Sequence, residues 1–296
     1  MTIAYPNIDP VAFSVFGLPI RWYALSYIFG LGLGWYYLQK IMSNVAIWPN
    51  TGPALNKVQL EDIVFWVAIG VLAGGRIGYV VFYEPQLLTD PWVALGANMQ
   101  PGLIKTLVGW VPIPPALRIW GGGMSFHGGL IGVTTAGYLF CRKHALNPLE
   151  IGDMFAAVIP IGLFLGRVAN FINGELYGRP WNGPWAMVFP QDPLSIPRHP
   201  SQLYEAALEG LVLFAILRFA THGIKLLKTP GATIGVFLVG YSSARIFVEN
   251  FRQPDTQLPD FPFGLTMGMM LSTPMAGLGA WLIYRARKSV STSSTP

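Results

Sequence analysis

Apolar residues gather into seven runs of near-spanning length, at roughly 18–38, 63–83, 124–141, 151–172, 203–220, 232–251 and 264–284. At a rise of about 1.5 Å per residue, some 20 residues cross the ~30 Å hydrocarbon core of a bilayer, so each run predicts one transmembrane helix. The runs at 203–220 and 264–284 are the cleanest, and the one at 124–141 is the shortest and opens on glycines. Two of the intervening segments are long. Residues 84–123 hold Pro85, Pro91, Pro101, Pro112, Pro114 and Pro115 around the apolar piece Leu103–Val111, which reads as an interfacial segment. Residues 173–202 are rich in Gly and Pro and carry Trp181 and Trp185, side chains suited to headgroup level. The pattern predicts an all-α polytopic membrane protein. A single seven-helix transmembrane domain fills 1–288, with 173–202 as its head segment, and 289–296 form a tail.

Composition agrees: 52% of residues are hydrophobic and 11% charged, against about 25% charged in soluble domains, and mean hydropathy is +0.46. The net charge of +5 would fit a nucleic-acid partner, but the placement of the basic residues fits membrane topology instead. Lys40, Lys57, Arg142, Lys143, Arg218, Lys225, Lys228, Arg285, Arg287 and Lys288 fall on one side in short loops. Arg21, Lys105, Arg118, Arg179, Arg198 and Arg252 fall on the other, spread over longer segments. The positive-inside rule makes the first side cytoplasmic, with the N-terminus and 173–202 outside and the C-terminus in the cytoplasm. The first apolar run lacks the basic start and small-residue cleavage site of a secretory signal and reads as a retained span. The single cysteine, Cys141, allows no intrachain disulfide and reads as a buried spacer at the end of its helix.

The remaining three arginines, Arg76, Arg167 and Arg245, lie inside spans, where an arginine costs roughly 2.5–3.5 kcal/mol on insertion scales. Guanidinium grips phosphate bidentately and keeps its charge, and phospholipid headgroups are the nearest abundant anions. Arg167 and Asn170 share one helical face, with Asn173 a turn further out. Tyr241, Arg245 and Glu249 recur at spacing four, with Arg252 three later, along one stripe toward the outer surface. An internal Arg245–Glu249 salt bridge is the plainer reading of that stripe, and it is compatible with an arginine that also holds a phosphate. Gly121–Gly132 frames His127 at the mouth of the third span, where a neutral imidazole is able to accept a proton. Arg198–Glu205 opens the fifth span. Pro200 and Ser201 look like a helix start there, and Glu205 and Glu209 face the bundle interior. Arg21, Trp22 and Tyr23 read as an interfacial anchor. No metal-ligand spacing or nucleotide-binding loop is present, so no cofactor or metal is expected.

Together these motifs resemble the prolipoprotein diacylglyceryl transferase family of bacterial inner membranes. The signature-like run spans Gly166–Gly178, matching at Gly166, Arg167, Ala169, Asn170, Phe171, Asn173, Glu175 and Gly178. His127–Gly132, Gly75–Tyr79, Arg198–Glu205 and Phe251–Asp255 resemble the family in the same order, over about residues 5–285. The chain departs from the family pattern in a longer 84–123 segment and in Gly121, where an acidic residue is expected. The resemblance implies a seven-span enzyme. It moves the diacylglyceryl group of phosphatidylglycerol to the lipobox-cysteine thiol of a prolipoprotein signal peptide, forming a thioether and releasing glycerol phosphate. By similarity, His127, Arg245, Tyr241 and Glu249 are catalytic, and Arg167, Asn170, Glu175, Gly178, Tyr23 and Arg252 bind the lipid. Two mechanisms stay open from sequence: His127 as the base that takes the thiol proton, or an arginine-centred reaction with His127 structural. A lipid flippase would also bury arginines but should show inverted repeats, and a scaffold would not gather Arg, Asn, Glu and His toward one side.

Overall fold

The structure is a computed structural model that describes residues 2–49, 51–89, 117, 123–254 and 262–293. Leu103–Val111 and Gly121 lie outside the described residues. The chain divides into two compact units, Leu55–Pro148 and the remainder.

Within Leu55–Pro148, two helices pair. Helix α2 (Lys57–Phe82) starts on a reciprocal cap, Asn56 accepting from Gln59 N while Gln59 accepts from Asn56 N. Helix α3 (Phe126–Lys143) is capped by Ser125, whose Oγ accepts from Gly128 N at 3.2 Å. The two meet along stripes of small residues: a Cβ on Gly70 would overlap Ala136 and Gly132, and one on Gly78 would overlap Gly128. Glycine at these positions allows a backbone-to-backbone approach that bulkier residues would forbid. Cys141 is buried in α3 at 1% exposure, as expected of a spacer.

The other unit opens with a hairpin that the apolar pattern does not disclose. Strand β1 (Val11–Val15) pairs antiparallel with β2 (Leu18–Arg21) across a two-residue turn, Phe16 and Gly17, both at positive φ. Helix α1 (Trp22–Ser43) follows at once. The first predicted run therefore begins as strand: Pro19 supplies no N–H and holds Leu18 extended. The fourth run, expected as one helix, is broken into α4 (Pro148–Ala156) and α5 (Ile159–Asn173), bent by 41°. Pro160 is the cause, since its ring displaces the carbonyl of Ala156 and it contributes no N–H to the ladder. Gly174, at φ +69°, closes α5 in the left-handed conformation.

The fifth run is one continuous helical stretch with two π-helical segments: α6 (Ser201–Glu205), a π segment (Ala206–Val212), α7 (Leu213–Arg218) and a second π segment (Phe219–Gly223). The last two runs form α8 (Ala232–Glu249) and α9 (Met267–Ser293). Asp153 of α4, 1% exposed, accepts from Gly231 N (2.6 Å) and Ile234 N (2.7 Å) and so caps α8 from a distant part of the chain. The segment between α5 and α6 carries a short antiparallel pair, β3 (Met187–Val188) and β4 (Pro197–Arg198).

Among the described residues, Lys57–Phe82 and Ala232–Glu249 are long and apolar enough to cross a membrane, with α4–α5 a third if the bent pair counts as one span. Large apolar side chains stand exposed on the helices, among them Tyr27, Ile28, Phe29, Phe65 and Ile77, each more than half exposed. Apolar outer surfaces of this kind suit lipid as solvent.

Candidate functional site

Five charged side chains from three stretches of helix converge in the larger unit. Arg167, on α5, places Nε 2.6 Å from Glu205 Oε2 and Nη2 3.4 Å from Glu209 Oε2. Arg245, on α8, approaches the same two carboxylates at 3.4 and 3.9 Å and pairs with Glu249 at 2.5 Å. The structure thus brings Arg167 and Arg245 onto shared partners. The plainer reading of the stripe, an Arg245–Glu249 pair, is present as part of this larger network. Tyr241 lies within electrostatic reach of both guanidiniums and of Glu205 and Glu209.

Local sequence explains the convergence. Glu205 and Glu209 are four apart, at the end of α6 and in the π segment, and therefore share a face. Single-turn π segments recur at functional sites. Gly210 lets this stretch close on α5, since a Cβ there would stand 2.7 Å from Phe164 Cβ. Gly268 of α9 leaves room for the Glu249 carboxylate, which a Cβ would overlap.

Charge and burial define what this arrangement does. The carboxylates are nearly sealed, Glu205 at 1% and Glu209 at 0% side-chain exposure, whereas Arg167 and Arg245 keep 17% and 13%. Unpaired, such ions would cost several kcal/mol each, so the carboxylates hold the guanidiniums in place from one side. Arg245 Nη1 makes only the two longer ion pairs, and it is buried with no hydrogen-bond partner. Nη1 therefore faces the sealed carboxylates, and the parts of the two guanidiniums that stay exposed are what is left to meet an anionic ligand.

The end of α5 builds a second feature. Asn170 Nδ2 donates to Glu175 Oε1 at 2.7 Å, and Asn173 Nδ2 reaches the same oxygen at 3.5 Å. Gln202 Nε2 donates to the Glu175 carbonyl at 2.6 Å, and Ser201 Oγ to the Leu176 carbonyl at 2.9 Å. Ser201 therefore ties the segment before it to the start of α6, which begins at Ser201 as the Pro200–Ser201 pair suggests, without a side-chain cap. With one face of α5 carrying Arg167 and Asn170, Glu175 is brought back toward the arginine-bearing face by the left-handed turn at Gly174.

Gly178 and Arg252 pair through their backbones. Gly178 N donates to His199 O at 2.8 Å, and Arg179 N to Phe251 O at 2.8 Å. A Cβ on Gly178 would lie 2.5 Å from Phe251 O and 2.6 Å from His199 Cβ, so this glycine has a packing reason for its identity. Burial pulls His199 below the ordinary imidazole range, its ring stacked 4.2 Å from Trp181.

Two expected site residues stand outside these contacts. Tyr23 is half-buried near the start of α1, its ring 5.3 Å from that of Tyr27. His127 belongs to the Leu55–Pro148 unit, where it is exposed on the first turn of α3 with its ring edge-on to Phe126 at 5.6 Å. In the same unit Arg76 is buried and donates to Gly123 O at 3.0 Å.

Sequence reasoning undervalued two pairs of residues. Glu205 and Glu209 were read as interior-facing, and their position between two arginines is what makes them members of the site. Asp192 and Arg198 form a buried bidentate pair, Nε–Oδ2 2.6 Å and Nη2–Oδ1 2.9 Å, for which the only local sign was a charge of each sign six residues apart. The Arg198 guanidinium holds the Asp192 carboxyl below the usual carboxylate range.

Comparison with known proteins bears on this geometry. The family model described as prolipoprotein diacylglyceryl transferase matches residues 10–285. A protein of Sinorhizobium medicae (strain WSM419) named phosphatidylglycerol–prolipoprotein diacylglyceryl transferase is 48% identical over 294 residues, covering 98% of this chain and 96% of that protein. Proteins of the same name from Agrobacterium fabrum (47% identical, 98% and 96% covered) and Caulobacter vibrioides strain NA1000 (44%, 96% and 95%) are similar over the same extent. The match takes in every residue of the arginine–carboxylate network, and the chain belongs to the prolipoprotein diacylglyceryl transferase family.

Proposed function

We propose that this membrane-integral transferase moves the diacylglyceryl group of phosphatidylglycerol onto the thiol of a prolipoprotein's lipobox cysteine. A C–S thioether bond forms, the C–O bond to phosphate breaks, and glycerol phosphate leaves. The thiol proton is balanced by the proton that the leaving phosphate takes up. The observation that carries the reading is the pair of guanidiniums, Arg167 and Arg245, anchored on shared buried carboxylates while each stays partly exposed.

Departure of the phosphate builds negative charge, and donors fixed beforehand in a low-dielectric site offset it without reorganising. Arg167 and Arg245 supply those donors. Glu249 and Tyr241 keep Arg245 aimed, while Asn170, Glu175 and Arg252 meet the polar headgroup, with Tyr23 and the close-packed Gly178 shaping its surroundings. The nucleophile belongs to the substrate, and a thiol with an ordinary pKa of about 8.5 needs a base or a cation to ionise at neutral pH. His127 is the proposed base, and Arg245 lowers the thiol's pKa.

The accompanying topology has seven spans in the bacterial inner membrane within residues 1–288. The N-terminus and 173–202 are periplasmic, and the C-terminus, with tail 289–296, is cytoplasmic. Support comes from the basic-residue asymmetry and from helices lying on each of the seven apolar runs. The deciding experiment mixes detergent-solubilised protein with phosphatidylglycerol and a lipobox peptide and reads the peptide mass. A gain of one diacylglyceryl group on cysteine is expected. No adduct, or an adduct independent of phosphatidylglycerol, refutes the function.

A further inference from the structure

We infer that the buried Asp192–Arg198 ion pair is a positioning device for Arg252, and through it for recognition of the lipid headgroup. This inference rests on the proposed headgroup role of Arg252.

Arg198 lies on β4 with 6% of its side chain exposed, and Asp192 has none exposed. Their bidentate contact uses Nε and Nη2 and fixes the plane of the guanidinium. The remaining nitrogen, Nη1, then points one way, toward Gly178 O at 3.4 Å and Gln253 Oε1 at 3.3 Å. Those two acceptors sit on either side of Arg252 in the contact, one along the backbone and one across it. Gln253 is its immediate neighbour, and Gly178 is its backbone partner. Arg179 completes the clasp, donating from Nε to Arg252 O at 3.0 Å and from its backbone N to Phe251 O. The Tyr177 ring lies under the Arg198 guanidinium at 4.8 Å.

Asp192 has a second task. Its carboxylate also accepts from Leu194 N (3.2 Å) and Ile196 N (3.3 Å), which fixes the turn leading into β4. A single carboxylate thus sets both the strand that carries Arg198 and the direction of the Arg198 fork. Residues 251–253 follow directly on α8, which carries Tyr241, Arg245 and Glu249. The pair therefore fixes the exit of the helix that bears Arg245 and Glu249, two of the five members of the arginine–carboxylate network. Removing the charge of Asp192 leaves Arg198 a buried cation without its partner, and its best remaining acceptor is Gln253. The residue next to Arg252 is then pulled out of register. Neither Asp192 nor Arg198 needs to touch the lipid for this to matter.

The test uses the full chain in detergent, with phosphatidylglycerol varied at saturating lipobox peptide. Asp192→Asn keeps the shape and one of the two acceptors for the turn but loses the charge. It is expected to raise KM for phosphatidylglycerol about tenfold with kcat within about twofold of wild type, the size of one charge-assisted contact. Gln253→Ala breaks only the link beside Arg252 and is expected to raise KM about threefold, which keeps the proposal testable if Asp192→Asn misfolds. In an Arg252→Ala background, Asp192→Asn should add almost nothing, because a residue that acts through another is silent once that one is gone. The inference is overturned if Asp192→Asn and Gln253→Ala leave KM unchanged, if Asp192→Asn lowers kcat alone, or if its effect adds fully to that of Arg252→Ala. A wild-type protein that lipidates no peptide would instead overturn the function on which the inference stands.

Discussion

Replacing Arg167 by lysine separates charge from geometry at the centre of the site. In the native structure Nε and Nη2 of Arg167 hold Glu205 at 2.6 Å and Glu209 at 3.4 Å, which leaves Nη1 for a ligand oxygen. Lysine keeps the positive charge, so three carboxylates still face two cations. It concentrates its donors on one nitrogen, which is unable to span two carboxylates and a phosphate with the geometry of a planar fork. Arg167→Ala would be a poorer probe. It leaves Glu205, Glu209 and Glu249 around Arg245 alone, and breaking a buried pair costs about 3–5 kcal/mol of stability. For Arg167→Lys the expected loss is that of one fixed charge-stabilising donor in the transition state, about 3 kcal/mol, or about 10²-fold in kcat/KM. The assay is thioether formation on a lipobox peptide, run beside thermal unfolding of the same detergent sample to show that the protein is folded. A folded Arg167→Lys enzyme within about fivefold of wild type would refute the assignment of Arg167 to the phosphate.

Four further outcomes follow from particular contacts. His127→Asn should lower turnover by about 10²–10⁴-fold while lipid binding stays near normal, with partial recovery at higher pH as the thiol ionises unaided; near-normal turnover at neutral pH would exclude the base role. Gly178→Ala forces a Cβ against Phe251 O and His199 and should cost about 1–3 kcal/mol, read as faster proteolysis in 174–200. Asp153→Ala strands the Gly231 and Ile234 donors and should lower stability by about 1–2 kcal/mol in thermal unfolding, with kcat/KM of the remaining folded protein unchanged. The Asp192 carboxyl, held low by Arg198, contributes stability that is complete above the unfolded pKa near 3.9 and is lost as pH falls through the lower folded value. Head-segment protease resistance should therefore fall on acidification below about pH 4, and in Asp192→Asn this part of the pH dependence should be missing.

Apolar run length was enough to place helical structure on each run, though not its breaks, because a helix that faces lipid must be apolar over about 20 residues wherever it sits in the fold. The same physics made the interior arginines conspicuous, since a charge inside an apolar run has few reasons to persist. Helical spacing also joined Tyr241 to Glu249, and Arg167 to Asn170, because neighbours on one face follow from 3.6 residues per turn alone. Contacts between elements are not written in that way. The break at Pro160 and the strand before Trp22 depend on single prolines that a run of apolar residues conceals. That Glu205 and Glu209 join Arg167 to Arg245 depends on three helical stretches meeting, with Gly210 and Gly268 giving way at the contacts. Asp153 caps a helix whose first residue lies 79 positions later in the chain, and no local pattern points across such a distance. The sequence determined which residues must avoid lipid and which are too costly to be there without purpose. Which of those costly groups share a partner follows from packing, because a buried charge is stabilised by whatever lies within about 4 Å of it in space, wherever that neighbour falls along the chain.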